Sequence, residues 1–295
     1  MEFYYPPTKI NRQKFFENVG KAYKSAQVFV LGKSILGEEI NCVKIGEGKR
    51  NIVSVGAHHG MEYISASALF RVISEFLDFL TRSRTYYGVN VAFLLQKFTF
   101  WFVPCLNPDG VDLAASGIFP NPLYERQMRM CCDGNFSEWQ ANARGVDLNH
   151  NYGFRFAEYK RIEEKEGILP GKTRFSGEYP ESEPETQALL KLIRVISPEL
   201  ILTFHTQGEE VFFRPRASKR AKRVAKNCAE ILGYKLSRPV GLADFGGLSD
   251  YAGEVLGITS LTVELGKGEN PLPESQLAPI AEKLTRLHVL LPTLI

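Results

Sequence analysis

The sequence predicts an α/β fold: a mixed, largely parallel twisted sheet with helices on both faces. Three observations predict it. Apolar runs of strand length, such as NIVSV (51–55), FTFWFV (98–103) and LILTF (200–204), recur along the chain. Between them lie longer segments with apolar residues at three- and four-residue spacing, the helical period. The chain has 295 residues, 44% hydrophobic and 23% charged, enough to bury one large core. A single domain over 1–295 is expected, with 1–35 as an N-terminal extension packed on it.

A helical segment opens the chain. FVLGKSILGEEINCVKIGEG (29–48) then reads as two strands meeting at a Gly-containing turn, and NIVSVGAHHG (51–60) as a buried strand running into a loop. EYISASALFRVISEFLDFLT (62–81) has the helical period. FTFWFVPCLNPDG (98–110) reads as a strand ending in a Pro-Asp-Gly turn. The polar region 114–180 is expected to be irregular; it is too long for a simple connection and so supplies functional loops. ESEPETQALLKLIRVIS (181–197) is a helix, LILTFHTQG (200–208) a strand and loop, and 217–232 another helix. ITSLTVELG (258–266) is a late strand, and PESQLAPIAEKLTRLHVLL (273–291) a closing helix. Buried strands alternating with amphipathic helices imply a parallel or mixed sheet, whose strand C-termini carry the site.

Composition excludes several classes. The net charge of +3 is mild, and the basic run RPRASKRAKR (214–223) has no interleaved aromatics, so it reads as the solvated start of a helix and no nucleic-acid partner is expected. No stretch reaches eighteen apolar residues and the N-terminus has no leader pattern, so no membrane partner and a cytoplasmic location are expected. Five cysteines without a CxxC pair read as reduced thiols. There is no G-x-S-x-G, and GILPGKT (167–173) has one residue too few between its glycines for a phosphate loop.

The chain has five histidines: His58, His59, His150, His205 and His288. His59 and Glu62 form an H-x-x-E pair at a loop-to-helix junction, where the short spacing lets both side chains turn to one point. Alone, the pair reads equally as a turn histidine and a carboxylate favoured by a helix N-terminus. His205 ends another apolar strand and is the natural third ligand of a catalytic zinc, which takes three N or O donors and leaves one position open. His58 reads as a spectator turned away from its neighbour, and His288, on an apolar helix, as structural. Glu264 lies in a β-branched, apolar strand, where a carboxylate is costly without a partner or a task. Its expected task is general base for a water.

HGME (59–62), NPDG (107–110), GVDLNHN (145–151), FHTQG (204–208), GGLSDY (246–251) and TVELGKG (262–268) occur in an order that resembles the zinc carboxypeptidases of the carboxypeptidase A type. ANARGVDLN, HTQGEEVFF and ELGKGENPLP resemble the branch that cleaves γ-D-glutamyl-diaminopimelate bonds in bacterial cell-wall peptides. The resemblance implies one Zn2+ held by His59, Glu62 and His205, and Glu264 activating the water. It implies that Asn149 and His150 stand where an asparagine and an arginine grip the substrate carboxylate; the imidazole offers no bidentate fork. The arginine that polarises the scissile carbonyl aligns strictly with Gln140, but Arg144 lies close by and is expected to serve, because a growing negative charge calls for a cation or preset donors. The family's mobile tyrosine aligns with Leu242. Ser249 stands at the floor of the specificity pocket, where Asp244 is expected to take the amine of a diaminopimelate side chain and Arg214 or Arg216 its carboxylate; Asp244 also reads as a turn residue. The implied function is a zinc peptidase acting on the γ-D-glutamyl-meso-diaminopimelate bond of muropeptides or short peptides. The alternatives are a conventional metallocarboxypeptidase and a non-catalytic peptide-binding relative.

Overall fold

The hairpin expected at 29–48 forms. Strand β1 (Ala26–Lys33) runs antiparallel to β2 (Glu39–Ile45), with Gly37 at φ 87° in the turn between them. The structure, a computed structural model, describes residues 5–82, 85–117, 122–214 and 218–295. The remaining strands are β3 (Arg50–Val55), the small hairpin of β4 (Thr85–Tyr86) and β5 (Val89–Asn90), β6 (Phe98–Val103), β7 (Leu200–Thr206), β8 (Glu210–Phe212), β9 (Lys235–Ser237) and β10 (Thr259–Leu265). The helices are α1 (Lys9–Ala22), α2 (Tyr63–Thr81), α3 (Val91–Lys97), α4 (Pro108–Ser116), α5 (Pro122–Cys131), α6 (Phe156–Glu166), α7 (Pro184–Ile196), α8 (Lys219–Leu232), α9 (Leu248–Glu254) and α10 (Leu277–Leu290).

Eight strands form one sheet in the order β1-β2-β6-β3-β7-β10-β8-β9. Its centre, β6-β3-β7-β10, is parallel, and antiparallel pairings flank it. This is the mixed, largely parallel sheet that the sequence predicts. Alternation along each strand sends side chains to opposite faces. Leu202, Phe204, Leu261, Val263 and Leu265 join a core with α1, α2, α8 and α10, while Val53, Val55 and Ile201 join a second core with α7 and α9. His205 and Glu264 therefore point to the α7 and α9 face, out of step with their apolar neighbours. A third apolar cluster, around Trp139 and Phe136, lies under the segment 113–143.

Several local expectations differ from the structure. Pro-Asp-Gly at 108–110 opens α4 rather than a turn, because Asn107 Oδ1 accepts from Gly110 N at 2.9 Å and Pro108 occupies the first turn. Region 114–180 is not irregular throughout: α5 and α6 fold within it. α6, FAEYKRIEEKE, buries only Phe156, Tyr159 and Glu163, so its apolar period is too thin to read. Segment 1–35 is divided. α1 packs Phe15 and Phe16 on Phe70 of α2 and ties Arg12 to Asp112 of α4 by hydrogen bonds of 2.9 and 2.8 Å, whereas 26–33 is an edge strand of the main sheet. None of the five cysteines forms a disulfide. Among the described residues no helix is long and apolar enough to cross a membrane.

Candidate active site

The strand ends build the site. After β3 the chain turns through Ala57 and His58 into a single 3₁₀ turn, Gly60–Glu62, with His59 at its entry and Glu62 leading into α2. The turn must lie flat on its neighbours, since a Cβ on Gly60 would sit 2.3 Å from the Gly110 carbonyl oxygen and 2.7 Å from that of Trp139. His205 is the penultimate residue of β7, and the parallel register places Glu264 of β10 directly beside it. Sequence distance is thereby removed: 146 positions separate His59 from His205, yet their Nδ1 atoms are 3.3 Å apart.

His59, Glu62 and His205 present donor atoms that all lie within 4.8 Å of one another. Glu62 Oε1 is 2.9 Å from His59 Nδ1, and Oε2 is 3.0 Å from His205 Nδ1. On its far side the His59 ring places Nε2 3.1 Å from Asp147 Oδ1. Burial opposes the ionisation of Asp147, but His59, His150 and the Arg174 N–H hold its pKa well below the ordinary carboxylate range. As a carboxylate Asp147 only accepts, so His59 carries its proton on Nε2 and offers a lone pair at Nδ1. A lone pair facing a carboxylate oxygen and a second imidazole nitrogen requires a positive charge between them. Against burial, Glu62 and Asp147 raise the His59 pKa well above its usual value, the mark of a site that favours a positive charge. Two imidazoles and one carboxylate, with no thiol, form the donor set of a catalytic zinc, and the Asp147–His59 contact is the outer support such ligands carry. The residues fit the ion.

Glu264 has its pKa raised well above the ordinary value by burial first and by the Glu62 charge second, with His59 pulling the other way. It opens onto a cavity of about 360 Å³ whose wall includes Asn149, Ser249, Asp250, Arg214 and Thr262. Asn149 Oδ1 accepts from Leu248 N at 3.3 Å, and Ser249 Oγ lies 2.9 Å from Thr262 Oγ1. Not every expected site residue converges. His150 stacks on Tyr159 at 4.3 Å, with Nδ1 2.9 Å from the Phe245 carbonyl oxygen. Arg144 forks onto buried Glu183 at 2.8 and 3.1 Å and is not in the cavity wall. Leu242 lies in the short 3₁₀ helix Gly241–Asp244. The side chain of Asp244, and Arg216, lie outside the described residues. His58 is outside the donor set, with Nε2 2.9 Å from Tyr152 Oη, although its ring packs 5.3 Å from that of His205, and His288 is buried against Ser54 and the Leu284 carbonyl.

Three contributors escape sequence reasoning. Asp147 supports His59, although the acid stands in plain view in GVDLN. Thr173, in the segment that imitates a phosphate loop, donates to Gln140 Oε1 and lies 3.3 Å from Asp147 Oδ2, linking Gln140 to the ligand sphere. Asp250 pairs with Arg214 in the cavity wall. Each acts through a contact between segments distant in the chain, which no local spacing encodes.

Comparisons with known proteins agree with this geometry. A family model described as zinc carboxypeptidase matches residues 13–286. Gamma-D-glutamyl-L-diamino acid endopeptidase 1 of Lysinibacillus sphaericus is 29% identical over 267 residues, covering 89% of this chain and 66% of that protein. An uncharacterized Bacillus subtilis (strain 168) protein, YqgT, is 32% identical over 260 residues, 85% of this chain and 67% of that one. The chain thus spans about two thirds of the length of these relatives. Among solved structures, thrombin activatable fibrinolysis inhibitor superposes with a TM-score of 0.73 at 19% identity, over 97% of this chain and 73% of that one; at that identity the likeness is one of fold.

Proposed function

The chain belongs to the zinc carboxypeptidase family, and from that premise we propose that it is a zinc peptidase hydrolysing the γ-D-glutamyl-meso-diaminopimelate amide bond of short cell-wall peptides. The observation that carries the reading is the convergence of His59, Glu62 and His205, with Glu264, which lines a neighbouring cavity, beside His205 in the sheet. The substrate class is supported by the Lysinibacillus relative, whose name describes a γ-D-glutamyl-diamino acid endopeptidase.

His59, Glu62 and His205 would hold the zinc ion, which when bound would supply a Lewis acid for the scissile carbonyl and would lower the pKa of the attacking water. Glu264, kept proton-hungry by burial, takes a proton from that water and returns it to the departing amine nitrogen. Asn149 positions the substrate from the cavity wall. For the negative charge that grows on the carbonyl oxygen we assign Gln140 as hydrogen-bond donor, ahead of Arg144. Thr173 holds the Gln140 oxygen and so orients the amide, while Glu183 holds the Arg144 guanidinium.

The test incubates purified, zinc-loaded protein with L-Ala-γ-D-Glu-meso-diaminopimelate and, separately, with an ordinary peptide bearing a free C-terminus. Diaminopimelate release that stops with chelator is expected. A Glu264→Gln variant should keep its zinc and lose turnover by about 10²–10⁴-fold. Cleavage of the ordinary peptide alone, or full activity of the variant, overturns the reading.

A further inference from the structure

We propose that Asn107 is a positioning residue of the active site: through one buried amide it ties the ligand loop 58–62 to the segment 139–142, so that the metal ligands and Gln140 are held as one unit. The proposal rests on the peptidase reading above, with Gln140 as oxyanion donor. It adds what sets the distance between that donor and the ligands.

Asn107 is 0% exposed, and its backbone is fixed beside the end of β3. Leu106 N donates to the Gly56 carbonyl oxygen at 3.1 Å, and Asn107 N to that of Ala57 at 3.0 Å. The two ends of its side chain serve different neighbours. Oδ1 accepts from Gly110 N at 2.9 Å and caps α4. Nδ2 has two hydrogens and three carbonyl oxygens within reach, those of His58 at 3.1 Å, Gln140 at 3.2 Å and Ala141 at 3.0 Å. These acceptors fix which way the amide points, because turning it over would set Oδ1 against three carbonyl oxygens and Nδ2 against an N–H. A helix cap uses only the oxygen. The nitrogen therefore has a task of its own.

The two segments meet on that nitrogen. His58 precedes the ligand His59, and beyond it Gly60 N donates to the Gln140 carbonyl oxygen at 2.9 Å and Met61 N to that of Trp139 at 2.8 Å. The Gln140 carbonyl thus accepts both from the ligand loop and from Asn107. Gln140 N donates to the Lys172 carbonyl oxygen at 2.9 Å, and Gln140 Oε1 accepts from Thr173. Every polar atom of Gln140 except Nε2 is held in this way, and Nε2 is the donor that the growing negative charge would meet. Packing leaves no slack around the tie. A Cβ on Gly110 would sit 2.5 Å from Asn107 Nδ2 and 2.5 Å from the Ala141 carbonyl oxygen, so both press on the α4 backbone at one glycine. Loss of the Nδ2 donors unties one side of the Gln140 carbonyl, and a displacement of about 1 Å in a positioned group can lower a rate 10²-fold.

Asn107→Asp and Asn107→Ser both keep an oxygen that can cap α4 and lack the amide donors, so they separate the two tasks of the side chain. In the zinc-loaded enzyme acting on L-Ala-γ-D-Glu-meso-diaminopimelate, each should lower kcat by about tenfold, with KM within about twofold of the parent and zinc content unchanged. In a Gln140→Ala background the same substitutions should lower kcat by less than about twofold more, because a residue that acts through Gln140 has nothing left to position. Hydrogen exchange at the backbone amides of 59–62 and of 140–142 should quicken together, by at least about threefold, with α10 unchanged. A merely structural role would lower the melting temperature without moving kcat of the folded enzyme or producing this non-additivity. A folded variant with the parent's kcat, or losses that multiply in full with Gln140→Ala, overturns the proposal and leaves the peptidase reading standing. If no peptide is cleaved, or if Gln140→Ala keeps full turnover, it is the earlier reading that fails. Exchange then decides the tie by itself: quickening in both segments supports it, and quickening in neither, or in one alone, overturns it.

Discussion

His59 is fixed from both sides of its ring, by Asp147 at Nε2 and by Glu62 at Nδ1, and this fixes which nitrogen is offered to a metal. The same economy of contacts separates the two candidates for the oxyanion donor. Gln140 joins Thr173, which reaches Asp147, whereas Arg144 neutralises Glu183, a carboxylate only 2% exposed. Gln140→Ala should therefore lower kcat by about 10²-fold with zinc retained, as expected for loss of one preset donor. Arg144→Ala should instead lower the melting temperature, because Glu183 loses its cation partner. A well-folded Arg144→Ala protein without turnover would reverse the assignment. At this scale His205 and Glu264 are legible in the sequence because each ends or interrupts an apolar strand pattern, and His59 and Glu62 because they form an H-x-x-E pair in the loop that follows one. The destination of the Arg144 side chain is not, because Glu183 lies 39 positions further along the chain.

Strands carry the readable part of the fold. Those at the parallel centre, β3, β6, β7 and β10, have 6 or 7 residues with an apolar run or an apolar alternation, long enough to show. β8 and β9 have three residues each and leave no periodic trace. Helix α4 is masked by a Pro-Asp-Gly that reads as a turn until Asn107 is seen to cap it. Helix α10 reads correctly, and so does its histidine. His288 packs against Phe102 and lies 2.8 Å from Ser54 Oγ, and burial lowers its pKa to about 4. The unfolded chain binds a proton there from about pH 6.5 downward, while the folded protein does not until about pH 4. Stability from this group is thus full above about pH 6.5 and is lost as the pH falls toward 4, by about 3 kcal/mol in all. His288→Gln has no such proton to bind, so its melting temperature should fall less steeply across that window. Identical slopes for the two proteins would refute the buried neutral imidazole.

The whole molecule brings distant residues together through one piece of topology. β7 lies between β3 and β10 in the sheet, so the loop after β3 delivers His59 and Glu62, β7 delivers His205, and β10 delivers Glu264 to one rim. Alternation turns His205 and Glu264 to the same face, away from the core formed by α2 and α10. Strand order cannot be read from one sequence, because pairing partners are chosen by packing across the whole sheet; what shows is only that the polar residues cluster at strand ends. The central claim is that these ends form a single three-ligand metal centre. Anomalous diffraction at the zinc edge from zinc-loaded crystals tests it directly. The account predicts one strong peak about 2.0–2.2 Å from His59 Nδ1, from a Glu62 carboxylate oxygen and from His205 Nδ1. A loaded crystal with no peak there, or with a peak that leaves out any of the three, would contradict it.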